Sequence, residues 1–414
     1  MTKSDVLVIG GGMAGLMAAL VSAVGRKKVT LLTYGEGTLP LNSGVIDVLA
    51  YDSSHRYVSN PLAAIKKLPQ EHPYHRIGTE ALEKGIAFFR DIMADNDLPY
   101  EGDLTSHILV PTAVGTMKPT SFAPTSMAGS EAVKGRRKIV VVSVQGLKDF
   151  YGPIMLENLK QALGNTRSYS VAVVDPQLGG GRDITTQDVA RWLETEKGQH
   201  DFTAQLRGKG GKDAVFIVPQ VLGLHNDRIR ENLSGMLGTP IVETTCLPPS
   251  VNGMRVQRIL IDSLRAAGVD IVENTRVIGS TCQDGKAVSV TAEGISRTKE
   301  YFADKFILAT GGFYSGGITM RDFDQPKEPI FHLPVSFVKG EENWANKKLF
   351  SDRPQGFAKT GIMTDETLRP VDEKGAVVLE NVRVCGRMLA GYDFCFEHSG
   401  NGVAISSAYK AAKG

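Results

Sequence analysis

The N-terminal segment constrains the fold more than any other part of the chain. Residues 5–9 are typical of a short buried strand, and they run directly into a Gly-Gly-Gly-Met-Ala-Gly turn and an apolar helix. In such a unit Gly10 allows the tight turn, Gly12 lets the backbone approach a phosphate, and Gly15 lets the helix lie close to the strand. A helix N-terminus attracts anions. The sequence therefore predicts a nucleotide or flavin site at the end of the first strand.

The second predicted strand, at 28–33, narrows the choice of ligand. Dinucleotide-binding proteins usually place an acidic residue at the end of this strand, where it bonds the ribose hydroxyls. Here the place is held by Thr33 and Tyr34, and the first acid is Glu36. This pattern favours a mononucleotide such as FMN. FAD held in a different way is the alternative, since Glu36 could still fold back toward a ribose.

Composition excludes several classes of function. The chain has 47 Lys and Arg against 45 Asp and Glu, so it has no strong net field and we expect no nucleic-acid partner. Four cysteines lack the spacing of zinc or iron–sulfur sites, so we expect reduced thiols and no metal: Cys246, Cys282, Cys385 and Cys395. Residues 6–25 carry no charge, but the glycine turn interrupts them, which argues against a membrane span or a secretory signal. We therefore expect a cytoplasmic chain.

The pattern of the N-terminus returns only after residue 245. Ser250 is a candidate cap for a helix over about 252–267, and Asp284-Gly285 predicts the turn of a hairpin. The intervening stretch contains a Pro-rich piece, a run of glycines, an amphipathic helix near 186–195 and an apolar strand at 214–218. We predict a discontinuous flavin-binding domain formed by 1–60 and 245–414. Residues 61–244 are then an inserted cap or substrate region.

Several segments resemble known flavoproteins. The glycine turn, Leu308-Ala-Thr-Gly-Gly312 and the last Gly-x-Gly helix resemble the two-domain fold of glutathione reductase and fumarate reductase relatives. More narrowly, four pieces resemble the family of B subunits of anaerobic sn-glycerol-3-phosphate dehydrogenase: Leu-Asn-Ser-Gly-Val-Ile-Asp at 41–47, Leu-Pro-Pro-Ser-Val-Asn-Gly-Met-Arg at 247–255, Phe-Tyr-Ser-Gly-Gly at 313–317 and Thr-Asp-Glu-Thr-Leu-Arg-Pro at 364–370. The resemblance implies an α/β, Rossmann-like two-domain flavoprotein fold with an inserted cap domain.

The same resemblance implies a flavin-dependent, quinone-linked dehydrogenase that oxidises sn-glycerol 3-phosphate to dihydroxyacetone phosphate. Its partners would be a catalytic A subunit and a membrane-bound iron–sulfur C subunit, which attaches the pair to the inner membrane. The substrate would be a small phosphorylated polyol. Two other functions stay open: a fumarate-reductase-like enzyme acting on a carboxylate, and a non-catalytic subunit that only carries the flavin.

Candidate site residues follow from the chemistry of alcohol oxidation, which needs a hydride acceptor, a base and cations for the phosphate. The residues expected to bind the flavin are Gly10, Gly12, Gly15, Ser43, Gly44, Gly311, Gly312, Gly402 and Val403. The last two begin the final helix, where the dipole could stabilise negative charge. Ser43 could equally be an ordinary turn residue.

Arginine suits a phosphate because its planar fork donates two bonds at once. Arg255, Arg321 and Arg369 are the candidates for the substrate phosphate, with surface ion pairs as the alternative, and Asp365 could neutralise Arg369. His398 is preferred over His332 as the base, because it precedes the final Gly-x-Gly turn. The base could also belong to the A subunit.

Overall fold

A computed structural model describes residues 3–128, 133, 135–164, 166–295, 297–320, 325–348 and 351–414. The strands are β1 (Ser4–Ile9), β2 (Val29–Leu32), β3 (Tyr100–Gly102), β4 (Ile108–Pro111), β5 (Met117–Thr120), β6 (Phe122–Pro124), β7 (Lys138–Val144), β8 (Ser168–Val174), β9 (Ala214–Val218), β10 (Ile241–Glu243), β11 (Asp270–Val272), β12 (Arg276–Gln283), β13 (Lys286–Glu293), β14 (Thr298–Leu308) and β15 (Val382–Val384). The helices are α1 (Met13–Val24), α2 (Pro61–Ile65), α3 (Pro73–Ile77), α4 (Thr79–Asp95), α5 (Gly152–Leu163), α6 (Thr186–Leu193), α7 (Glu196–Leu206), α8 (Arg228–Leu237), α9 (Val251–Ala266), α10 (Phe394–Glu397) and α11 (Gly400–Lys413).

The chain divides into two compact units. The first consists of Met1–Thr38, Ile46–Phe89 and Leu260–Gly414, and the second of Leu39–Val45 and Arg90–Ile259. These boundaries differ from the predicted 61–244 insertion, because helices between 61 and 89 pack on the C-terminal helix. A methyl group on Gly85 would lie 3.1 Å from Tyr409 Cβ, and Lys410 Nζ donates to the carbonyl of Ile77 at 3.0 Å. The roles of the two units stay predictions.

The first unit is built on a mixed sheet. Its strand order is β11-β2-β1-β14-β13-β12, and β15 pairs with β14. The pairs β11–β2, β2–β1, β1–β14 and β14–β15 are parallel, whereas β12, β13 and β14 are antiparallel. The parallel half has the strand–helix–strand topology of nucleotide-binding folds, and the buried apolar residues of β1 and β2 form its centre.

The hairpin and helix predicted after residue 245 are confirmed. Asp284 and Gly285 both have positive φ, 49° and 72°, as the turn between β12 and β13 requires. Ser250 Oγ accepts a hydrogen bond from the Gly253 amide at 3.0 Å, which caps α9. Gly268, with a φ of 75°, follows the end of this helix.

The second unit contains a parallel sheet of its own, in the order β10-β9-β7-β8. The predicted strand at 214–218 is its β9, and the predicted amphipathic helix is α6. Thr185 and Asp188 close a reciprocal capping box at the start of that helix. The Pro-rich piece forms β4, β5 and β6. This sheet encloses an apolar core of its own, lined by residues such as Val141, Phe216 and Ile217.

Candidate functional site

The carboxyl ends of four parallel strands are aligned along one edge of the first unit's sheet. In the register, Ile9 pairs with both Leu32 and Leu308, and Leu308 pairs with Val384. Each strand is followed by a turn, and a glycine stands one to three residues after the end of every strand: Gly10, Gly35, Gly311 and Gly386. Ligands of open parallel sheets bind at this edge, so the sheet places the candidate residues of four sequence segments side by side.

Gly10 and Gly15 are required by the protein's own backbone. Gly10 has a φ of 120°, and a methyl group there would overlap the carbonyl oxygen of Ala309. A methyl group on Gly15 would overlap the carbonyl oxygen of Gly10. These two glycines therefore bring α1 close to the strand edge, which is the packing role predicted for Gly15.

Gly12 differs from both, because a side chain there would meet no atom within 4 Å. Its φ of −82° is accessible to any residue, so the protein itself does not need glycine here. Within the described part of the chain, no side chain caps α1, whose first turn therefore presents its amides outward. An open backbone in front of an uncapped helix fits the phosphate of a flavin, which Gly12 and the first turn of α1 would hold.

The end of β2 carries the residues that bear on the size of the flavin. Thr33 is buried, and its amide donates to the carbonyl of Val272 at 3.0 Å. Tyr34 and Glu36 are both exposed. Arg276 lies 5.9 Å from the centre of the Tyr34 ring. No acidic side chain stands at the last position of β2, as the sequence indicated.

Gly311 and Gly312 form the turn after β14. Gly311 has a φ of 76°, and a methyl group there would lie 2.6 Å from Ser315 Cβ. A methyl group on Gly312 would lie 2.6 Å from the carbonyl oxygen of Arg387. The predicted glycines therefore lie at the sheet edge, and Gly312 abuts a residue that sequence reasoning missed. The signal was present, because Arg387 directly follows the strand-to-glycine segment at 382–386.

The amides of Gly402 and Val403 are engaged inside the protein. Gly402 donates to the carbonyl of Asp47 at 2.9 Å, and Val403 donates to that of Ser399 at 3.0 Å. A side chain on Gly402 would overlap the hydroxyl of Tyr74, and Val403 is fully buried. Their amides are therefore not available to a ligand, and their role at the flavin through the helix dipole stays a prediction. What remains at this position is the N-terminal end of α11 itself, which begins at Gly400.

A buried polar cluster fixes the entry to α11. Tyr74 donates its amide to His72 Nδ1 at 3.2 Å, so the ring proton of His72 sits on Nε2 and is donated to Glu397 Oε1 at 2.9 Å. Ser399 Oγ donates to the same oxygen at 2.7 Å. Burial, reinforced by the Glu397 carboxylate, raises the pKa of Tyr74 well above its usual value. These long-range contacts carried no signal in the sequence.

His398 stands in the chain between two members of this polar cluster. It has a left-handed φ of 49°, between Glu397 and Ser399, and the Glu397 carbonyl accepts from the amides of Ala50 and Tyr51 at 2.9 and 3.1 Å. The half-buried His398 ring meets Tyr51 edge-on at 5.0 Å. His398 is thus held beside the start of α11, and its role as the base stays a prediction. His332, the other candidate, is exposed.

Ser43 and Gly44 belong to the second unit, where Asn252 of the 247–255 motif and Tyr100 hold their carbonyls. Asn252 Nδ2 donates to the carbonyl of Ser43 at 3.1 Å, and Tyr100 donates its hydroxyl to that of Gly44 at 2.6 Å. A side chain on Gly253 would overlap the Leu39 carbonyl oxygen. The motifs at 41–47 and 247–255, two of the four that carry the family resemblance, therefore contact each other. Flavin contact by Ser43 and Gly44 stays a prediction.

Arg255 is not available to a substrate. Its side chain is 0% exposed, and its guanidinium binds both carboxylate oxygens of Glu243, at 2.8 and 3.0 Å. Nε donates to the carbonyl of Gly223 at 2.8 Å. Burial alone would oppose ionisation of Glu243, but Arg255 beside it holds the pKa of that carboxyl below its usual value. A fully enclosed ion pair contradicts the predicted phosphate contact.

Arg369 is also paired within the protein. Arg369 Nε and Nη2 lie 2.8 and 2.7 Å from Asp365 Oδ2, so the neighbouring carboxylate neutralises it. This pair closes a turn near the C-terminal end of α11, since a methyl group on Gly414 would lie 3.9 Å from the Thr367 carbonyl oxygen. That end is about 20 Å from the helix N-terminus. Arg321 lies outside the described residues.

The family of FAD binding domains matches residues 5–403, so the chain belongs to this family of flavoproteins. The predicted α/β flavoprotein fold and flavin cofactor are thereby confirmed. A probable B subunit of anaerobic glycerol-3-phosphate dehydrogenase from Halobacterium salinarum is 34% identical, and the match covers 99% of this chain and 97% of the relative. The B subunit of anaerobic glycerol-3-phosphate dehydrogenase from Vibrio cholerae is 30% identical, covering 100% and 96%. The chain belongs to this family of B subunits, as its motifs predicted.

Among solved structures, a 3-ketosteroid Δ1-dehydrogenase from Sterolibacterium denitrificans in complex with 1,4-androstadiene-3,17-dione matches with a TM-score of 0.46. The identity is 11%, and the match covers 100% of this chain and 99% of the other. A likeness of this size has no functional meaning for the present chain. Among the described residues, no helix combines the length and the apolar character needed to cross a membrane.

Proposed function

We propose that this chain is the flavin-carrying subunit of a quinone-linked glycerol-3-phosphate dehydrogenase. In this role it takes part in oxidising sn-glycerol 3-phosphate to dihydroxyacetone phosphate, and electrons leave through a partner subunit that carries iron–sulfur clusters. The similarity to the B subunits of other organisms, over nearly the whole length of both chains, carries the proposal. The open backbone at Gly12 supports a flavin phosphate in front of α1.

Bound flavin would supply the acceptor for the hydride that leaves C2 of the alcohol. The protein must hold that carbon near the acceptor, take the hydroxyl proton and exclude water. We assign the proton to His398, because its backbone is fixed by the Glu397 and Ser399 contacts at the start of α11. The positive end of the α11 dipole lies at the same position, where it favours negative charge.

The identity of the flavin is a separate part of the proposal. The family matched is named for FAD, whereas Thr33 at the end of β2 lacks the acid that usually bonds a ribose. We propose FMN on this ground. Heat-released cofactor from the purified chain should therefore have the mass of FMN, and release of FAD at full occupancy would refute this part alone.

Activity of the reconstituted complex tests the main proposal. The A subunit with and without this chain would be assayed with glycerol 3-phosphate and an artificial acceptor, and then with quinone and the C subunit. We expect this chain to add both rate and coupling to quinone. The Gly12→Val chain, which should fold without flavin, is the matched control. An A subunit equally active and equally coupled alone would refute the role.

A non-catalytic flavin carrier is the second candidate, and one observation favours it. Two of the three arginines expected to bind substrate form internal ion pairs with Glu243 and Asp365. Addition of glycerol 3-phosphate to the isolated flavin-loaded chain separates the candidates. Bleaching of the flavin absorbance indicates substrate oxidation in this chain, whereas an unchanged spectrum assigns the oxidation to the A subunit. Fumarate turnover by the pre-reduced chain would instead support the carboxylate-reducing alternative.

A further inference from the structure

One arginine at the edge of the sheet has a different environment from Arg255 and Arg369. Arg387 follows Gly386 directly after β15, and it is half-buried. Its guanidinium carbon lies 4.2 Å from the centre of the Phe394 ring. Within the described residues its guanidinium makes no hydrogen bond or ion pair. A cation held by an aromatic face keeps its donors available while its position is fixed.

Asp393, which precedes Phe394, makes its hydrogen bonds with backbone amides. Asp393 Oδ1 accepts from the amides of Cys395 and Phe396, each at 3.1 Å, and Oδ2 accepts from the amide of Gln355 at 2.9 Å. The carboxylate is therefore engaged by three backbone donors that fix the α10 turn. Arg387 thus differs from Arg255 and from Arg369, each of which spends its donors on a carboxylate.

Arg387 lies next to the residues of the candidate flavin site. Its carbonyl abuts Gly312, and a methyl group on the preceding Gly386 would lie 2.7 Å from Ala14 Cβ in the first turn of α1. The Phe394 ring that carries the guanidinium would lie 3.3 Å from a methyl group on Gly400, the first residue of α11. The backbone that carries Arg387 therefore lies beside the first turn of α1, and the ring under its guanidinium lies beside the first residue of α11. The dipoles of both helices favour an anion at these ends.

Aromatic side chains complete the surroundings. Tyr314 is about half exposed, and its ring centre lies 5.5 Å from that of Phe394 and 5.5 Å from that of Phe357. Burial raises the pKa of Tyr314 to about 12, so its hydroxyl stays a neutral donor at working pH. A guanidinium and a phenol beside two rings can bind a small, doubly charged oxyanion on a short carbon chain.

We propose that Arg387 binds a phosphate monoester, with Tyr314 as a second donor. This inference rests on the proposed function, which supplies two sources of that group: the phosphate of glycerol 3-phosphate and the phosphate of the flavin. The shared requirement is a dianionic phosphate bound by the planar fork of arginine. Lysine would preserve the charge but lose the fork.

Binding of inorganic phosphate and of dihydroxyacetone phosphate to the flavin-loaded chain tests the proposal. Binding would be followed by the flavin absorbance and by calorimetry, which need neither turnover nor the A subunit. We expect Arg387→Gln to weaken binding on the order of ten- to a hundredfold, and Arg387→Lys to restore part of it. Lys299→Gln is the matched control, because Lys299 stands 4.7 Å from the Tyr301 ring centre, at the opposite end of β14 from the sheet edge.

Flavin content distinguishes the two sources. Retained flavin with weakened phosphate binding in Arg387→Gln assigns the residue to the substrate. A roughly tenfold loss of flavin from a variant that melts like the parent assigns it to the cofactor phosphate. Unchanged values for both would overturn the inference. An active A–B pair together with those unchanged values would leave the proposed function intact, so the two failures are distinguishable.

Discussion

Three of the four glycines in the N-terminal turn, Gly10, Gly12 and Gly15, serve different physical purposes. At Gly10 and Gly15 any side chain would overlap backbone atoms of the protein, namely the carbonyl oxygens of Ala309 and Gly10. The fold therefore requires glycine at these two positions. At Gly12 the protein leaves open space, and the conformation suits any residue. The fold therefore does not require glycine at this position, and in the proposed function the ligand does.

Gly12→Val should consequently yield a folded protein that has lost its flavin. The branched side chain would occupy the space where the backbone approaches the phosphate. We expect flavin content to fall at least about tenfold while the melting temperature of the flavin-free protein is unchanged, since roughly 1.4 kcal/mol of lost binding already gives tenfold. Absorbance of the purified protein and thermal melts of stripped samples measure both.

Two further glycine variants serve as controls for this experiment. Gly279→Val places the same side chain at another open position, on β12, and should keep its flavin. Gly10→Ala should fail to fold. Full flavin content in a folded Gly12→Val protein would show that the phosphate lies elsewhere.

The buried ion pair of the second unit has a predictable energetic signature. Removal of one partner from an enclosed pair costs about 3–5 kcal/mol, because the other charge stays buried without a counterion. Arg255→Met should therefore destabilise the protein by about that amount in urea unfolding. Adding Glu243→Gln should recover part of the loss. A single variant within about 0.5 kcal/mol of the parent would contradict the pairing.

At the residue scale the sequence predicted backbone roles far better than side-chain roles. Glycine acts through its own local conformation, so a motif of six residues is sufficient to place Gly10 and Gly15. The role of an arginine depends on its partner. Glu243, which pairs with Arg255, lies on β10, and Arg255 lies on α9, so the fold determines that they meet. His72 and Glu397 are 325 residues apart along the chain. Only folding brings such pairs together, so no local sequence pattern predicts them.

At the scale of elements, those with strong end signals were predicted and those without were missed. The Ser250 cap and the Asp-Gly turn located α9 and the β12–β13 hairpin within a residue or two. The 39–45 segment gives no such signal. Its membership in the second unit depends on contacts with α9, among them the hydrogen bond from the Ser250 amide to the Pro40 carbonyl at 2.6 Å. Unit boundaries were therefore less predictable than the elements themselves.

Strand β14 carries an unusual charge whose effect on stability depends on pH. Burial, with repulsion from Arg383 and Lys27, lowers the pKa of Lys305 to about 8. The unfolded chain holds this proton up to about 10.4. Between these values unfolding takes up a proton, so the parent gains stability as pH rises through this window and loses it as pH falls through about 8.

Lys305→Met should therefore stabilise the protein at pH 7, by roughly 1–2 kcal/mol after allowance for partial solvent exposure. This advantage should shrink toward zero near pH 10.5, where the lysine is neutral in both states. Urea unfolding of both proteins at the two pH values provides the comparison. A difference that does not change with pH would mean that Lys305 stays charged throughout the window.

At the scale of the whole molecule, the flavin should stabilise the two units unequally. A ligand at a hundred times its dissociation constant contributes about 2.7 kcal/mol to the state that binds it. Hydrogen exchange should therefore quicken on flavin removal at α1 and at residues 309–317. The sheet of β7 and β9, enclosed in its own apolar core, should exchange as before. Equal acceleration in both sheets would indicate that the protein opens only as a single cooperative unit.

Because β1 pairs with β14, the first strand must wait for its partner during synthesis. Ser4 pairs with Ala303, so the partner of β1 emerges from the ribosome about 300 residues later. At 5–20 residues per second, this interval is roughly 15–60 s. During that time one edge of β1, whose last four residues are apolar, is unpaired and can pair with strands of other chains. A flavin held at the turn after β1, as proposed, could bind only once β14 has been made, so slow translation of the residues between the two strands should favour aggregation over assembly.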